Sequence, residues 1–66
     1  MKIYDVILEG SARDEVDALE WARGFVWSEC EAVEQGRPML CRYIDSVDGI
    51  GVYYDFGADY YFFEEE

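Results

Sequence analysis

Apolar and polar positions alternate from Lys2 to Glu9, with Ile3, Asp5, Ile7 and Glu9 on one side and Tyr4, Val6 and Leu8 on the other. A period of two predicts a strand. Gly10 ends it, and Ser11 is a good helix N-cap, with Asp14 and Glu15 in the following turn where the helix dipole favours negative charge. Ser11 followed three positions later by Asp14 resembles a capping box, with Asp in place of the longer Glu or Gln. From Ala12 to about Gln35 the period lengthens. At about 100° per residue, Ala12, Val16, Leu19, Ala22, Val26, Cys30 and Val33 fall on one stripe, with Asp17, Glu20, Ser28 and Glu31 opposite, the pattern of a helix packed on a core. Gly24 costs ~1 kcal/mol relative to Ala in mid-helix and marks a place for a bend or a break. Gly36 supplies a stop and Pro38 prevents resumption.

The remainder reads as β. Met39 to Val47 places Met39, Cys41, Tyr43 and Val47 on one face and Leu40, Arg42 and Ile44 on the other, and leads into Asp48-Gly49, a strong hairpin turn signal. Ile50 to Phe56 is the return strand, Gly57-Ala58-Asp59 a second turn, and Tyr60 to Phe63 a last strand before an acidic tail, Glu64 to Glu66. The expected fold is α+β, a single domain over residues 1–66 in the order β-α-β-β-β, with one helix packed on a small, mostly antiparallel sheet. The last two strands carry bulky groups on both faces: Val52, Tyr54 and Phe56 against Tyr53, and Tyr60 and Phe62 against Tyr61 and Phe63. One helix covers one face of a sheet, so the pattern predicts either a homodimer or an aromatic surface offered to a partner.

Composition sharpens this picture through charge. Sixteen Asp and Glu stand against five Lys and Arg with no His, a formal charge of -11 on 66 residues. A chain of this length buries only roughly 60% of its unfolded surface and has a stability of a few kcal/mol. With 52% hydrophobic and 18% aromatic residues it is nonetheless too apolar for a disordered acidic tail. Such a field repels nucleic acid and anionic membranes and favours basic partners. The N-terminal stretch is too short and too polar for a signal peptide, and no run approaches a membrane span, so a cytoplasmic protein is expected. In that compartment Cys30 and Cys41 are expected reduced, as small apolar side chains.

Catalysis is poorly supplied. The absence of His removes the usual general base, zinc ligand and triad partner at once, and no Gly-x-Ser-x-Gly or Ser-x-x-Lys pattern surrounds Ser11, Ser28 or Ser46. Gly49-Ile50-Gly51 lacks the third glycine, the following helix and the Lys of a phosphate-binding loop. Asp45, Asp48, Asp55 and Asp59 could attract calcium, but they do not follow the spacing of a calcium loop and read as turn aspartates. Neither enzyme activity nor a cofactor is expected.

The distribution of the charge is more telling. After Arg42 there are seven acids and no base, Asp45, Asp48, Asp55, Asp59, Glu64, Glu65 and Glu66, so 24 residues carry -7 while the first 42, with nine acids and five bases, carry -4. Uncompensated charge opposes folding, a cost that a marginal fold avoids unless the field is used. Alternate residues of a strand lie ~6.8 Å apart and residues four apart on a helix ~6 Å. Those spacings resemble phosphate separations along a nucleic-acid strand. Carboxylates held so can take the Lys and Arg contacts that a DNA-binding protein keeps for the backbone, with Asp17, Glu20 and Glu31 adding a second acidic face. Tyr53 and Tyr61 among the acids are candidate interface anchors, as is Trp27, which lies off the helix stripe and reads first as an edge-of-core residue.

In short length, a sequence pI near 4.1 and acid-rich, aromatic-rich strands, the whole chain resembles the small DNA-mimic inhibitors of phages and other mobile elements, including anti-CRISPR and anti-restriction proteins. The resemblance is one of physical type and carries no motif. It implies a phage protein that works in the host cytoplasm by binding the basic DNA channel of a defence complex, such as a CRISPR effector, without touching nucleic acid itself. A protein-interaction module of the immunity or antitoxin kind, binding through aromatics, and a homodimeric structural domain are the alternatives.

Overall fold

The computed structural model describes residues 2–5 and 12–66. Its elements are β1 (Lys2–Asp5), α1 (Glu15–Gly24), a 3-10 turn (Trp27–Glu29), β2 (Glu31–Glu34), β3 (Cys41–Val47), β4 (Ile50–Asp55) and β5 (Tyr60–Glu65). All five strands join one sheet in the order β2-β1-β5-β4-β3, each pairing antiparallel. The α+β class holds, with one helix on an antiparallel sheet. Residues 6–11, with the rest of the expected first strand and the Ser11 cap, lie outside the described residues. Asp14 is the N-cap, its side chain accepting the Asp17 N–H at 2.9 Å, with Glu15 and Asp17 in the first turn. Among the described residues no helix is long and apolar enough to cross a membrane.

The helix expected to reach Gln35 stops at Gly24. Phe25 closes it, donating its N–H to the Trp21 carbonyl at 3.1 Å and then turning to extended backbone. Phe25, Val26 and Trp27 are weak helix formers, and packing offers Trp27 a better place. Its indole N–H caps the Ala22 carbonyl at 2.8 Å, one of the oxygens left unpaired at a helix end. Its ring lies 4.8 Å from Tyr4, 5.3 Å from Phe25 and 5.2 Å from Phe63. The chain then reverses, and Glu31–Glu34 becomes an edge strand on β1, Ile3 opposite Val33 and Tyr4 opposite Ala32. The expected apolar stripe is dispersed by this break. Ala12, Ala18 and Ala22 reach the core with Leu19 beside them, whereas Val16, Val26 and Val33 are exposed. Gly36 and Pro38 follow a strand, not a helix.

On the helix side of the sheet, Ile50, Val52 and Phe63 meet Ala12, before the helix, and Ala18 and Ala22 in it, whose small side chains let the helix approach closely. Val52 is fully buried. A bulge between Tyr43 and Asp45 shifts the register of β3, so that Ile44 and Val47, expected on opposite faces, both pack on this core. Asp48 and Gly49 turn the β3–β4 hairpin with φ of 50° and 83°, the left-handed pair that a tight two-residue turn requires.

The other face carries Ile3, Tyr53 and Phe62. Residues 35–40 link β2 at one edge to β3 at the other, across four strand spacings or roughly 19 Å. Six residues reach little further than that when extended, so the link runs nearly straight over this face. Arg37 lies 5.0 Å above the Tyr53 ring and forks onto both oxygens of Glu64, at 3.2 to 3.4 Å. Tyr53 in turn stacks on Phe62, 5.0 Å apart and 7° from parallel. The link thus covers the centre of this face, where Tyr53 and Phe62 are buried without a second copy, while Tyr43 and Tyr60 stay exposed.

Candidate interaction surface

The seven acids after Arg42 divide by environment. Asp55 and Glu64 point inward, at 8% and 7% exposure. Asp55 accepts the backbone N–H groups of Gly57 and Ala58 at 2.8 and 3.2 Å and so builds the β4–β5 turn. Glu64 is held by Arg37. Neither is offered to a partner, and the expected acidic tail is instead the end of β5, with Glu64 and Glu65 in the strand. Asp45, Asp48, Asp59, Glu65 and Glu66 face solvent.

Four of these five gather at one end of the sheet. The Glu66 N–H donates to the Gly49 carbonyl at 3.0 Å and the Ser46 hydroxyl donates to the Glu66 carboxylate, which brings the end of β5 against the hairpin turn. Asp48 sits in that turn, Asp45 accepts the Ser46 N–H at 2.8 Å, and Glu65 pairs with Ile50. The fifth, Asp59, lies at the opposite end of β4 and β5 and accepts the Tyr54 hydroxyl. Asp45 and Asp48 are thereby separated from Asp55 and Asp59 by the length of a strand, so the four aspartates weighed against calcium do not converge. Of the helix-side acids, Asp17 accepts the Arg13 N–H at 2.9 Å and pairs with its guanidinium at 3.7 Å, while Glu20 and Glu31 are exposed.

Among the described residues, three arginines form ion pairs: Arg13 with Asp17, Arg37 with Glu64 and Arg42 with Glu15. None of these three pairs involves Asp45, Asp48, Glu65 or Glu66; Lys2, next to Ile3 in the β1–β5 register, is among the described residues the cation nearest this end along the sheet, beside Glu65.

The aromatic anchors expected from the sequence lie elsewhere. Trp27 plugs the helix end, Tyr53 is under Arg37, and Tyr61 is half-buried against the helix-side core. Besides Val16, Val26 and Val33, the exposed large apolar groups among the described residues are Met39, at 99%, with Leu40, Phe56, Tyr60 and Tyr43. The Phe56 N–H donates to the Leu40 carbonyl at 2.9 Å, so these two are neighbours. A signal for them stood in the sequence: Met39 and Leu40 directly follow Pro38, and Phe56 precedes Gly57. Apolar residues at turn positions have no sheet face to enter.

Four phenols are held above their ordinary ionisation range. Burial does this for Tyr4, Tyr53 and Tyr61, reinforced by Glu65, by Glu64, and by Glu15 and Asp14 respectively. For Tyr54 the hydrogen bond to Asp59 leads and burial adds to it. The unfolded chain ionises its phenols near pH 10, so this contribution to stability is complete below about pH 10 and is lost as pH rises through the folded values. Melting temperatures followed by circular dichroism should hold to about pH 9.5 and fall beyond it, together with a late rise of phenolate absorbance. A melting temperature unchanged at about pH 11 contradicts this.

Compared with protein-family models, with curated proteins and with solved structures, the chain gives no match.

Proposed function

We propose that this protein is a stoichiometric inhibitor that mimics DNA, occupying the basic nucleic-acid-binding surface of a partner such as the DNA channel of a CRISPR effector in the host cytoplasm. One observation carries the reading. Asp45, Asp48, Glu65 and Glu66 face solvent at one end of the sheet, on turn and strand backbone that is hydrogen-bonded in place, while Arg13, Arg37 and Arg42 are already paired with acids elsewhere. Carboxylates on a backbone fixed in this way need no ordering of the chain before they meet Lys and Arg, and their field steers a basic partner into contact. Displacement of target DNA follows from occupancy and needs no chemistry.

The test is capture of a CRISPR surveillance complex from a bacterial lysate. Raising salt from about 50 to 500 mM is expected to weaken capture at least tenfold, and excess duplex DNA to compete with it. Capture that ignores both salt and DNA contradicts the proposal.

The exposed group Met39, Leu40, Phe56 and Tyr60 favours a second reading, an interaction module of the immunity or antitoxin kind that binds by apolar contact. Under it, a Leu40→Ala, Phe56→Ala protein loses about tenfold or more in partner affinity, and changes to the hairpin-end acids leave affinity within about threefold. Under the DNA-mimic reading the ranking reverses. Sedimentation of the isolated protein separates both from a homodimer formed through the same group.

A further inference from the structure

At the end of the sheet away from the Asp48-Gly49 hairpin, an open cleft of about 370 Å³ is lined by Ala12, Arg13, Tyr54, Asp59 and Tyr61. The rings of Tyr54 and Tyr61 meet at 5.0 Å with their planes 52° apart and form its aromatic wall. Asp59 supplies the facing charge. Its backbone is left-handed, with φ 56°, and its carboxylate accepts the Tyr54 hydroxyl. A carboxylate has about four lone-pair sites, so one such bond leaves most of its capacity for a ligand.

An aromatic face beside a carboxylate is what a guanidinium uses best, since the planar cation stacks on a ring while its fork of N–H groups reaches both oxygens. We propose that this cleft receives the guanidinium of an arginine side chain carried by the partner. The inference deepens the DNA-mimic reading and rests on it for the partner's basic character.

The charges around the cleft support a cation. Glu15, Asp14 and Asp59 all raise the ionisation range of Tyr61, with Arg42 alone opposing them. Arg42 is occupied by Glu15, and Arg13, which also lines the cleft, pairs with Asp17 at 3.7 Å. The positive end of the helix dipole, which would repel a cation, is offset by Asp14 at the cap and by Glu15 and Asp17 in the first turn. Among the described residues the lining has a single carboxylate, whereas a hard metal ion gathers six or more oxygens. An ammonium lacks the planar fork and is expected to bind more weakly.

The experiment is an amide-resolved NMR titration of the whole protein with N-acetyl-arginine amide, beside N-acetyl-citrulline amide, which has nearly the same shape without the charge, and N-acetyl-lysine amide. The arginine probe should give saturable shifts centred on Arg13, Tyr54, Asp59 and Tyr61. The lysine probe should shift the same amides less, and the citrulline probe should not move them. Asp59→Asn keeps a side chain that tolerates left-handed backbone and removes the charge, and should weaken arginine binding about tenfold. Asp59→Gly, which suits that backbone without strain, should do the same and stands in if the Asn protein misfolds. Equal shifts from citrulline, shifts that spread to the Asp48 and Glu66 end, or undiminished binding by the Asp59 variants overturn the proposal. The probes need no partner. Their failure leaves salt-dependent capture standing, while arginine binding without salt-dependent capture would sink the DNA-mimic reading alone.

Discussion

A Trp27→Ala protein is expected to be about 3 kcal/mol less stable than the parent, a loss comparable with the whole stability of a domain this small. The side chain touches Tyr4, Phe25 and Phe63 and ties the end of α1 to the sheet through the Ala22 carbonyl, so its removal opens a cavity and frees the reversal that feeds β2. Thermal unfolding should show a drop of more than about 10 °C, or no cooperative transition at all. Trp27→Phe keeps most of the packing and loses the N–H donor, and should cost about 1 kcal/mol. A Trp27→Ala protein that melts like the parent but loses its partner would return Trp27 to the role of interface anchor.

The second large effect concerns binding. Changing Asp45 and Glu66 to Lys and Asp48 to Asn is expected to reduce affinity for a basic partner at least about 100-fold, since close interfacial charge pairs couple by more than about 1.5 kcal/mol each. Asn is chosen at position 48 because it tolerates the left-handed backbone there. The same variant should melt at an equal or higher temperature, because it relieves repulsion among exposed like charges. Added salt should likewise raise the melting temperature while weakening the complex, an opposition of sign that a packing-driven interface does not produce.

The buried acids should behave in the opposite way. Asp55→Ala strips two backbone N–H groups of their acceptor and should cost about 1 to 2 kcal/mol of stability. Glu64→Gln should loosen Arg37 and expose Tyr53 and Phe62, detectable as increased binding of a hydrophobic dye. Neither should change partner affinity once folding is complete. If affinity falls with these two and not with the hairpin-end variant, the assignment of the surface is wrong.

The parts legible in the chain were those governed by near neighbours. Asp48-Gly49 specifies its turn because few residue pairs accept two successive positive φ values, and the alternation of Ile50 to Asp55 specifies which groups face the helix. The helix was legible only to Gly24. Beyond it, Val26, Cys30 and Val33 kept the helical period while the chain left the helix, because pairing with β1 and the seating of Trp27 outweigh a periodicity of three residues. Alternation likewise misplaced Val47, since a bulge costs one residue and leaves no mark in a binary pattern.

What the amino-acid order determined alone was the net charge, its concentration after Arg42, the absence of His and the α+β class, all of which depend on counting or on contacts a few residues long. Which acids remain available was decided by the tertiary structure. Glu64 and Glu66 are two positions apart in the same run, yet one lies under Arg37 and the other beside the hairpin, because the path of residues 35–40 across the sheet brings a cation to the first and not to the second. The selection depends on a contact 27 residues apart in the chain, which no local pattern encodes.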